Sequence, residues 1–356
     1  MTVVGTRPEL IRLSLIIQKL DQLADKHIFV HTGQNFTATL SDIFFEQLKL
    51  RQPDYVLMDK HHTLGEQLSV MFKEAERIIM KERPDKMLVL GDTNSALCAI
   101  LAERMGIPVV HMEAGNRCFD LKVPEEVNRR VIDAVSSFNL PYTPQSKQNL
   151  IREGFPSNRI VLTGNPIYEV LQHYEPDVMN SSILEQLQLT EKQYFLVTIH
   201  RSENVDDPAQ LAEIVKGLSL IADAFRMRLI CSTHPRTYSK LTKEMLDQVN
   251  PLVEFHEPFG FFDFVRLEKA AYCVLTDSGT VQEECCIFRV PAVTVRTTTE
   301  RPETIDCGSN MLSGIDSNRM LKAVQAMTSL PAEWNCPEGY LEPHVSDTVV
   351  KFLLGQ

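Results

Sequence analysis

The sequence predicts an α/β protein built as two doubly wound parallel halves with a cleft between them. Short apolar strand runs alternate with amphipathic helical stretches almost throughout. This rhythm pauses once, over the polar segment 168–190, and then starts again. Polar motifs fall just beyond the carboxyl ends of the strand runs, where open parallel sheets bind ligands. A chain of 356 residues also exceeds one ordinary core, so two domains are the default.

In the first half, strands are expected at 2–4, 27–31, 86–90 and 108–112, with short ones at 139–142 and 159–162. Between them the 3.6-residue spacing of apolar positions predicts helices at 8–23, 40–48, 64–80, 93–105 and 125–136. The series resumes after Gly164-Asn165-Pro166, with strands at 194–199, 228–231, 253–255, 273–275 and 292–295. Helices are expected there at 209–224, 240–249, 261–270 and 280–288. An amphipathic stretch at 345–354 reads as a helix that packs back on one half. The expected boundaries are 1–165 for an N-terminal Rossmann-like domain, 166–340 for a C-terminal one, and 341–356 for the closing helix.

Net charge is -11, which argues against a general nucleic-acid surface or an anionic membrane partner. It leaves room for a diphosphate held by a few local arginines. Eight scattered cysteines with no Cys-x-x-Cys pair read as free thiols in a reducing cytosol, with no metal site. No apolar run reaches membrane-spanning length, and the opening Met1-Thr2-Val3-Val4-Gly5 leaves no room for a signal peptide.

The most informative motif is Asp277-Ser278-Gly279 followed by Glu283-Glu284, between an apolar strand and a helix that begins near Thr280. Unpaired amides at such a turn, together with the helix dipole, stabilise a phosphate. A carboxylate one turn into the helix can accept from ribose hydroxyls. Gly5-Thr6-Arg7-Pro8-Glu9 places Arg7 at a helix start, fit for a phosphate contact or for plain solvation. Asp92, in Gly91-Asp92-Thr93, fits an N-cap as well as a functional carboxylate. Glu113, in His111-Met112-Glu113-Ala114-Gly115-Asn116-Arg117, stands at a strand tip with no evident cap role. Glu125 opens the helix of Pro124-Glu125-Glu126-Val127-Asn128-Arg129, four residues from Arg129 on one face, a spacing that allows an ion pair. Carboxylates from neighbouring strand ends converge if the sheet is parallel, and crowding shifts their pKa values toward proton-transfer work. In the second half, His200-Arg201 and Ser232-Thr233-His234-Pro235-Arg236 end strands, and each histidine reads equally as structural or functional. Phe259, Phe261, Phe262 and Phe264 form an aromatic group, mostly core, of which one could flank a base, and Arg301 follows the last strand run.

Taken in order, GTRPE, GDT, MEAG, PEExNR, HRxEN, THP, DSG…QEE and TTTERPE resemble the non-hydrolysing UDP-N-acetylglucosamine 2-epimerase family, from Gly5 to about Gly314. The resemblance implies a GT-B-like fold, a UDP-sugar substrate in the cleft, no cofactor and a homodimer. It implies interconversion of UDP-GlcNAc and UDP-ManNAc by anti elimination of UDP, a 2-acetamidoglucal intermediate and re-addition. Asp92, Glu113 and Glu125 match the family's catalytic carboxylates, Arg129 its associated arginine, and His200 its catalytic-site histidine near the diphosphate. Arg7, Ser278, Gly279 and Arg301 match sugar-nucleotide contacts, mostly to phosphate or sugar, and Arg12, His234 and Thr280 are expected to bind the UDP-sugar beside them. Glu284 matches the ribose-binding carboxylate and Phe264 the residue beside uracil.

The chain departs from the pattern in places. Arg12 stands for the usual Lys and Thr280 for a second Gly. Thr32-Gly33-Gln34-Asn35-Phe36 lacks the usual His, and the segment 68–72 lacks the Arg that bacterial members use to bind an activating second substrate. Asn116-Arg117-Cys118 resembles a subgroup acting on UDP-2,6-dideoxy-L-talose sugars to give UDP-N-acetyl-L-fucosamine. A GT-B glycosyltransferase and a hydrolysing epimerase are the rival readings.

Overall fold

The computed structural model describes residues 1–33, 38–57 and 63–355, so the motif positions 34–36 lie outside the described residues. The chain divides into two compact units, residues 1–173 together with 338–356, and residues 174–337.

The first unit is a six-stranded parallel sheet. Its strands are β1 (Thr2–Val4), β2 (Phe29–His31), β3 (Tyr55–Val56), β4 (Met87–Leu90), β5 (Val109–Met112) and β6 (Phe138–Leu140). They lie in the order β3-β2-β1-β4-β5-β6. Strand order reverses between β1 and β4, so the loops after those two strands border the switch point where such sheets bind ligands. The strands are nearly continuous apolar runs because helices cover both faces of the sheet; all four residues of β4 are buried. The helix Arg7–Leu23 buries Leu10, Leu13, Ile16, Ile17 and Leu20 on one stripe. Its start is fixed by a Thr6/Glu9 capping box and by Pro8 in the first turn. The helix Val345–Leu354 is tied to this unit by Lys19, whose Nζ donates to Ser346 Oγ and Asp347 Oδ1, both at 2.6 Å. Lys86 Nζ donates to the Leu353 carbonyl at 2.7 Å, and the Phe138 and Phe352 rings meet edge to face.

The second unit repeats the plan with β7 (Tyr194–Thr198), β8 (Arg228–Ser232), β9 (Val253–His256), β10 (Cys273–Thr276), β11 (Ala292–Thr294) and β12 (Asn310–Leu312). The order β12-β11-β10-β7-β8-β9 puts the reversal between β7 and β10. Alternate residues feed opposite cores, as a two-residue strand period requires. Phe195 and Val197 face Ile214, Leu218 and Met320, whereas Tyr194 and Leu196 face Leu267, Ala270 and Cys285.

Some expectations need correction. The strand expected at 159–162 is one isolated bridge, Asn139↔Ile160, because a 3-10 turn at Ser157–Arg159 occupies its start. The helix expected at 93–105 begins as a 3-10 turn, Asn94–Leu97, before Cys98–Arg104. The strand β12 and the helices Pro144–Arg152 and Ser317–Ser329 went unread in the sequence. Among the described residues no helix is long and apolar enough to cross a membrane.

Candidate active site

In the first unit the turn after β1 packs tightly against its neighbours. A Cβ on Gly5 would lie 1.8 Å from Ser95 Oγ and 2.4 Å from Thr32 Oγ1, so only glycine fits. Buried Glu9 then stitches two loops together. Its Oε2 accepts from the Gly5 and Thr6 amides at 2.9 and 2.7 Å, and its Oε1 accepts from Thr93 Oγ1 at 2.9 Å. Burial pushes the Glu9 carboxyl up to about 7, against the pull of those donors. Arg7 stands at the start of the helix with its guanidinium 5.5 Å from the Phe44 ring centroid, and burial lowers its pKa. Among the described residues Arg7 forms no ion pair.

The carboxylates gather at the ends of β4 and β5. The two strands pair in register up to Leu90↔Met112, which places Gly91 beside Glu113. A Cβ on Gly91 would lie 3.9 Å from the Glu113 carboxyl carbon. Glu113 has a left-handed backbone with φ 66°, a conformation costing about 1–3 kcal/mol in a non-glycine residue. Its carboxylate is buried and ion-paired with Arg12, itself 2% exposed and stacked near Tyr142. Asp92 accepts from both Arg129 Nε, at 3.1 Å, and Arg129 Nη2. Asn128 Nδ2 donates to the Asp92 carbonyl at 2.9 Å, so the helix Pro124–Val135 is clamped to the β4 loop. Glu125 lies half-buried in the first turn of that helix.

Glu126 is a residue that the sequence reading missed. Besides the pairing with Glu125 that the spacing allows, Arg129 Nη1 donates to Glu126 Oε2 at 2.6 Å. Glu126 is fully buried and also accepts from Arg130 Nε at 3.0 Å and the Cys118 amide at 3.0 Å. Burial opposes its charge, but the Cys118 amide and Arg129 outweigh it and hold the carboxyl below its usual range.

In the second unit the charged side chains gather after β7 and β10, which pair in register up to Thr276↔Thr198. Asp277 is fully buried and accepts from the amides of His200, at 3.0 Å, and Arg201, at 2.9 Å, and from Asn204 Nδ2 at 3.0 Å. It fixes the turn that presents His200, whose ring is 44% exposed with Nδ1 3.3 Å from Asp277. Ser278 is the N-cap of the helix Gly279–Phe288. A Cβ on Gly279 would come within 2.7 Å of Glu300 Oε1 and 3.4 Å of Arg301 Cζ, so the turn and the 300–301 segment touch. Buried Glu300 accepts from Arg201 Nη2 at 3.1 Å and pairs with Arg296 at 2.9 Å. Arg301 is buried and paired with Glu283. Thr280 is half-buried in the first helical turn. Glu284 is buried beside Glu268, whose carboxyl is pushed well above its usual range by burial and then by the Glu284 charge.

Two sequence-predicted binding residues have a structural task as well. His234 Nδ1 accepts from the Arg236 amide at 3.2 Å and caps the short helix Pro235–Tyr238, although its ring centroid lies 6.4 Å from that of His200. Phe264 packs against the core on one side of the sheet and stays half-buried. Among the described residues no group of three or more His, Cys, Asp or Glu side chains is placed to hold a metal ion.

Two Rossmann-like units, each gathering charged groups at the switch point of its own sheet, put the chain in the GT-B-like class of α/β proteins. Residues 18–354 match the family described as UDP-N-acetylglucosamine 2-epimerase. The UDP-N-acetylglucosamine 2-epimerase of Methanocaldococcus jannaschii is 41% identical over 95% of this chain and 94% of that protein. The UDP-2,3-diacetamido-2,3-dideoxy-D-glucuronate 2-epimerase of Pseudomonas aeruginosa is 36% identical over 93% of this chain and 92% of that protein. A crystal structure of the M. jannaschii UDP-GlcNAc 2-epimerase in complex with UDP-GlcNAc and UDP is similar at a TM-score of 0.94 and 38% identity, covering 100% of this chain and 99% of that one. The chain belongs to the UDP-N-acetylglucosamine 2-epimerase family.

Proposed function

We propose that this protein is a non-hydrolysing epimerase that interconverts UDP-GlcNAc and UDP-ManNAc. The observation that carries the reading is the gathering of Asp92, Glu113 and the first turn of the helix Pro124–Val135 at the ends of β4 and β5. The hydrogen on carbon 2 of the sugar is too weakly acidic to remove directly. Breaking the bond from carbon 1 to UDP first gives carbon 1 cationic character and acidifies that hydrogen. The products of elimination are UDP and 2-acetamidoglucal; a proton returned to the opposite face and re-addition of UDP invert carbon 2. Such a cycle needs acid and base groups at the sugar and cations at the departing diphosphate. Asp92, Glu113 and Glu125 serve as the first, with Arg129 paired to Asp92. His200, Arg7 and Arg301 serve the second, with the Ser278 side chain and the Gly279 amide at the helix start. Arg12 holds Glu113, while Thr280, Glu284, His234 and Phe264 complete the nucleotide contacts.

The hexose deserves a second reading, because a relative at 36% identity is named for a UDP-diacetamido-glucuronate. The Asn116-Arg117 departure does not decide it. Asn116 is buried with Oδ1 accepting from Ser146 Oγ at 2.7 Å, a contact within the first unit. A homodimer is part of the proposal, checked by a sedimentation mass of twice the chain.

The variants Asp92→Asn and Glu113→Gln test the roles. Both are expected to keep UDP affinity while losing at least about 100-fold in turnover, the scale of a lost acid or base. Near-parental turnover in either would remove that residue from the mechanism. A panel of UDP-GlcNAc, the L-talose analogue and the diacetamido-glucuronate then ranks the sugars by kcat/KM.

A further inference from the structure

Three cysteines that are scattered in sequence meet in the second unit. Cys286 lies near the C-terminal end of the helix Gly279–Phe288 and is fully buried. Cys307 caps the short helix Pro302–Asp306 and is half-buried. Their sulfurs stand 3.8 Å apart, in van der Waals contact. Cys336, also half-buried, approaches Cys286 with its Sγ 3.5 Å from the Cys286 carbonyl. Trp334 Nε1 donates to the same carbonyl at 3.0 Å and holds that segment in place. The remaining thiols of this unit serve packing. Cys231 and Cys273 are buried in strands, and Cys285 donates to buried Glu268 Oε1 at 3.1 Å.

We propose that Cys286 and Cys307 form a reversible oxidation site, which hydrogen peroxide converts to a disulfide. In the first step the Cys307 thiolate attacks one peroxide oxygen. The S–O bond forms, the O–O bond breaks, and hydroxide leaves and is protonated to water. In the second step the Cys286 sulfur attacks the sulfenic sulfur of Cys307. The S–S bond forms, and the sulfenic oxygen leaves as hydroxide and takes the Cys286 proton to become water. The two sulfurs together lose an electron pair, which the peroxide gains. A dithiol reverses the bond by exchange. Cys307 takes the first step because solvent reaches it and not Cys286. Contact with the Cys286 thiol lowers the pKa of Cys307 against the effect of burial, and Ser309, with Oγ 3.4 Å away, adds to the lowering. Closing the remaining distance also falls to Cys307. Gly308 follows it with φ 85°, and a Cβ there would meet nothing within 4 Å, whereas Cys286 is held inside a buried helix. The bond joins the helix that begins after Ser278 to the helix that follows Arg301, at the ends away from those two residues.

The test treats the reduced, folded full chain with hydrogen peroxide, blocks the remaining thiols and reads the digested protein by mass spectrometry. A peptide pair joining Cys285-Cys286 to Cys307 is expected, lighter than the separate reduced peptides by the two thiol hydrogens and absent after dithiothreitol. Cys285→Ser is expected to keep the cross-link. Cys286→Ser is expected to lose it and to leave Cys307 as a sulfenic acid that dimedone traps. Before any oxidation, iodoacetamide at about pH 7 is expected to alkylate Cys307 at least about tenfold faster than Cys118, a half-buried thiol of the first unit whose pKa burial raises. No cross-link in the folded parent, a cross-link to Cys336 in its place, or a Cys307 no faster than Cys118 would overturn the proposal. The parent alone supplies these three readings, so they hold even where a variant fails to fold. None of them uses turnover of a UDP-sugar, so their outcome is separate from that of the epimerase reading.

Discussion

At the residue scale the site pairs several of its acids with cations. Arg12 binds Glu113, Arg129 bridges Asp92 and Glu126, and Arg301 binds Glu283. Arg129 is 2% exposed and sits between two carboxylates, so removing one leaves charge stranded in a low-dielectric interior. Glu126→Gln is expected to lower unfolding stability by about 3 kcal/mol, read by urea denaturation. The sign with pH follows from the lowered folded-state pKa of Glu126. Its contribution is complete above the ordinary glutamate range and is lost as pH falls through the depressed folded value. The stability gap between parent and variant should therefore be full at neutral pH and close only on the acid side of about 4.3. A gap independent of pH would contradict the ion-pair account. These pairings were only partly legible. The sequence placed Glu125 and Glu126 side by side, but the burial of Glu126 depends on the 113–123 turn folding back to offer the Cys118 amide.

At the scale of elements, the motifs are legible because they occupy fixed places in a repeated plan. Glycine-bearing turns follow β1, β4 and β10, and the sheet order sets β1 beside β4 and β7 beside β10. Apolar runs and polar ends were enough to find them. What escaped were elements without a signal of their own. β12 is three residues long, Asn310–Leu312, with only one of them buried. The capping role of His234 was hidden because histidine is not an ordinary N-cap residue. Helix Gly279–Phe288 carries the nucleotide half of the account: its N-terminus offers amides, and Glu284 lies one turn in. Glu284→Ala is expected to weaken UDP binding by about 1–3 kcal/mol, the cost of a lost charged hydrogen bond, as measured by titration calorimetry. Unchanged UDP affinity would remove Glu284 from the ribose contact.

At the scale of the molecule, two sheets of the same strand order divide the work. The first unit holds the carboxylates. The second holds a helix N-terminus, His200 and a buried arginine–glutamate network, the groups proposed to meet the diphosphate. The same fold hosts glycosyl transfer, so function follows from the carboxylate cluster and the family rather than from the architecture alone. Proton NMR of the purified protein with UDP-GlcNAc in deuterium oxide tests this most directly. The account predicts exchange of the carbon-2 proton for deuterium and accumulation of the carbon-2 epimer still joined to UDP. Free UDP with free N-acetylmannosamine, or turnover only when an acceptor sugar is added, would contradict it.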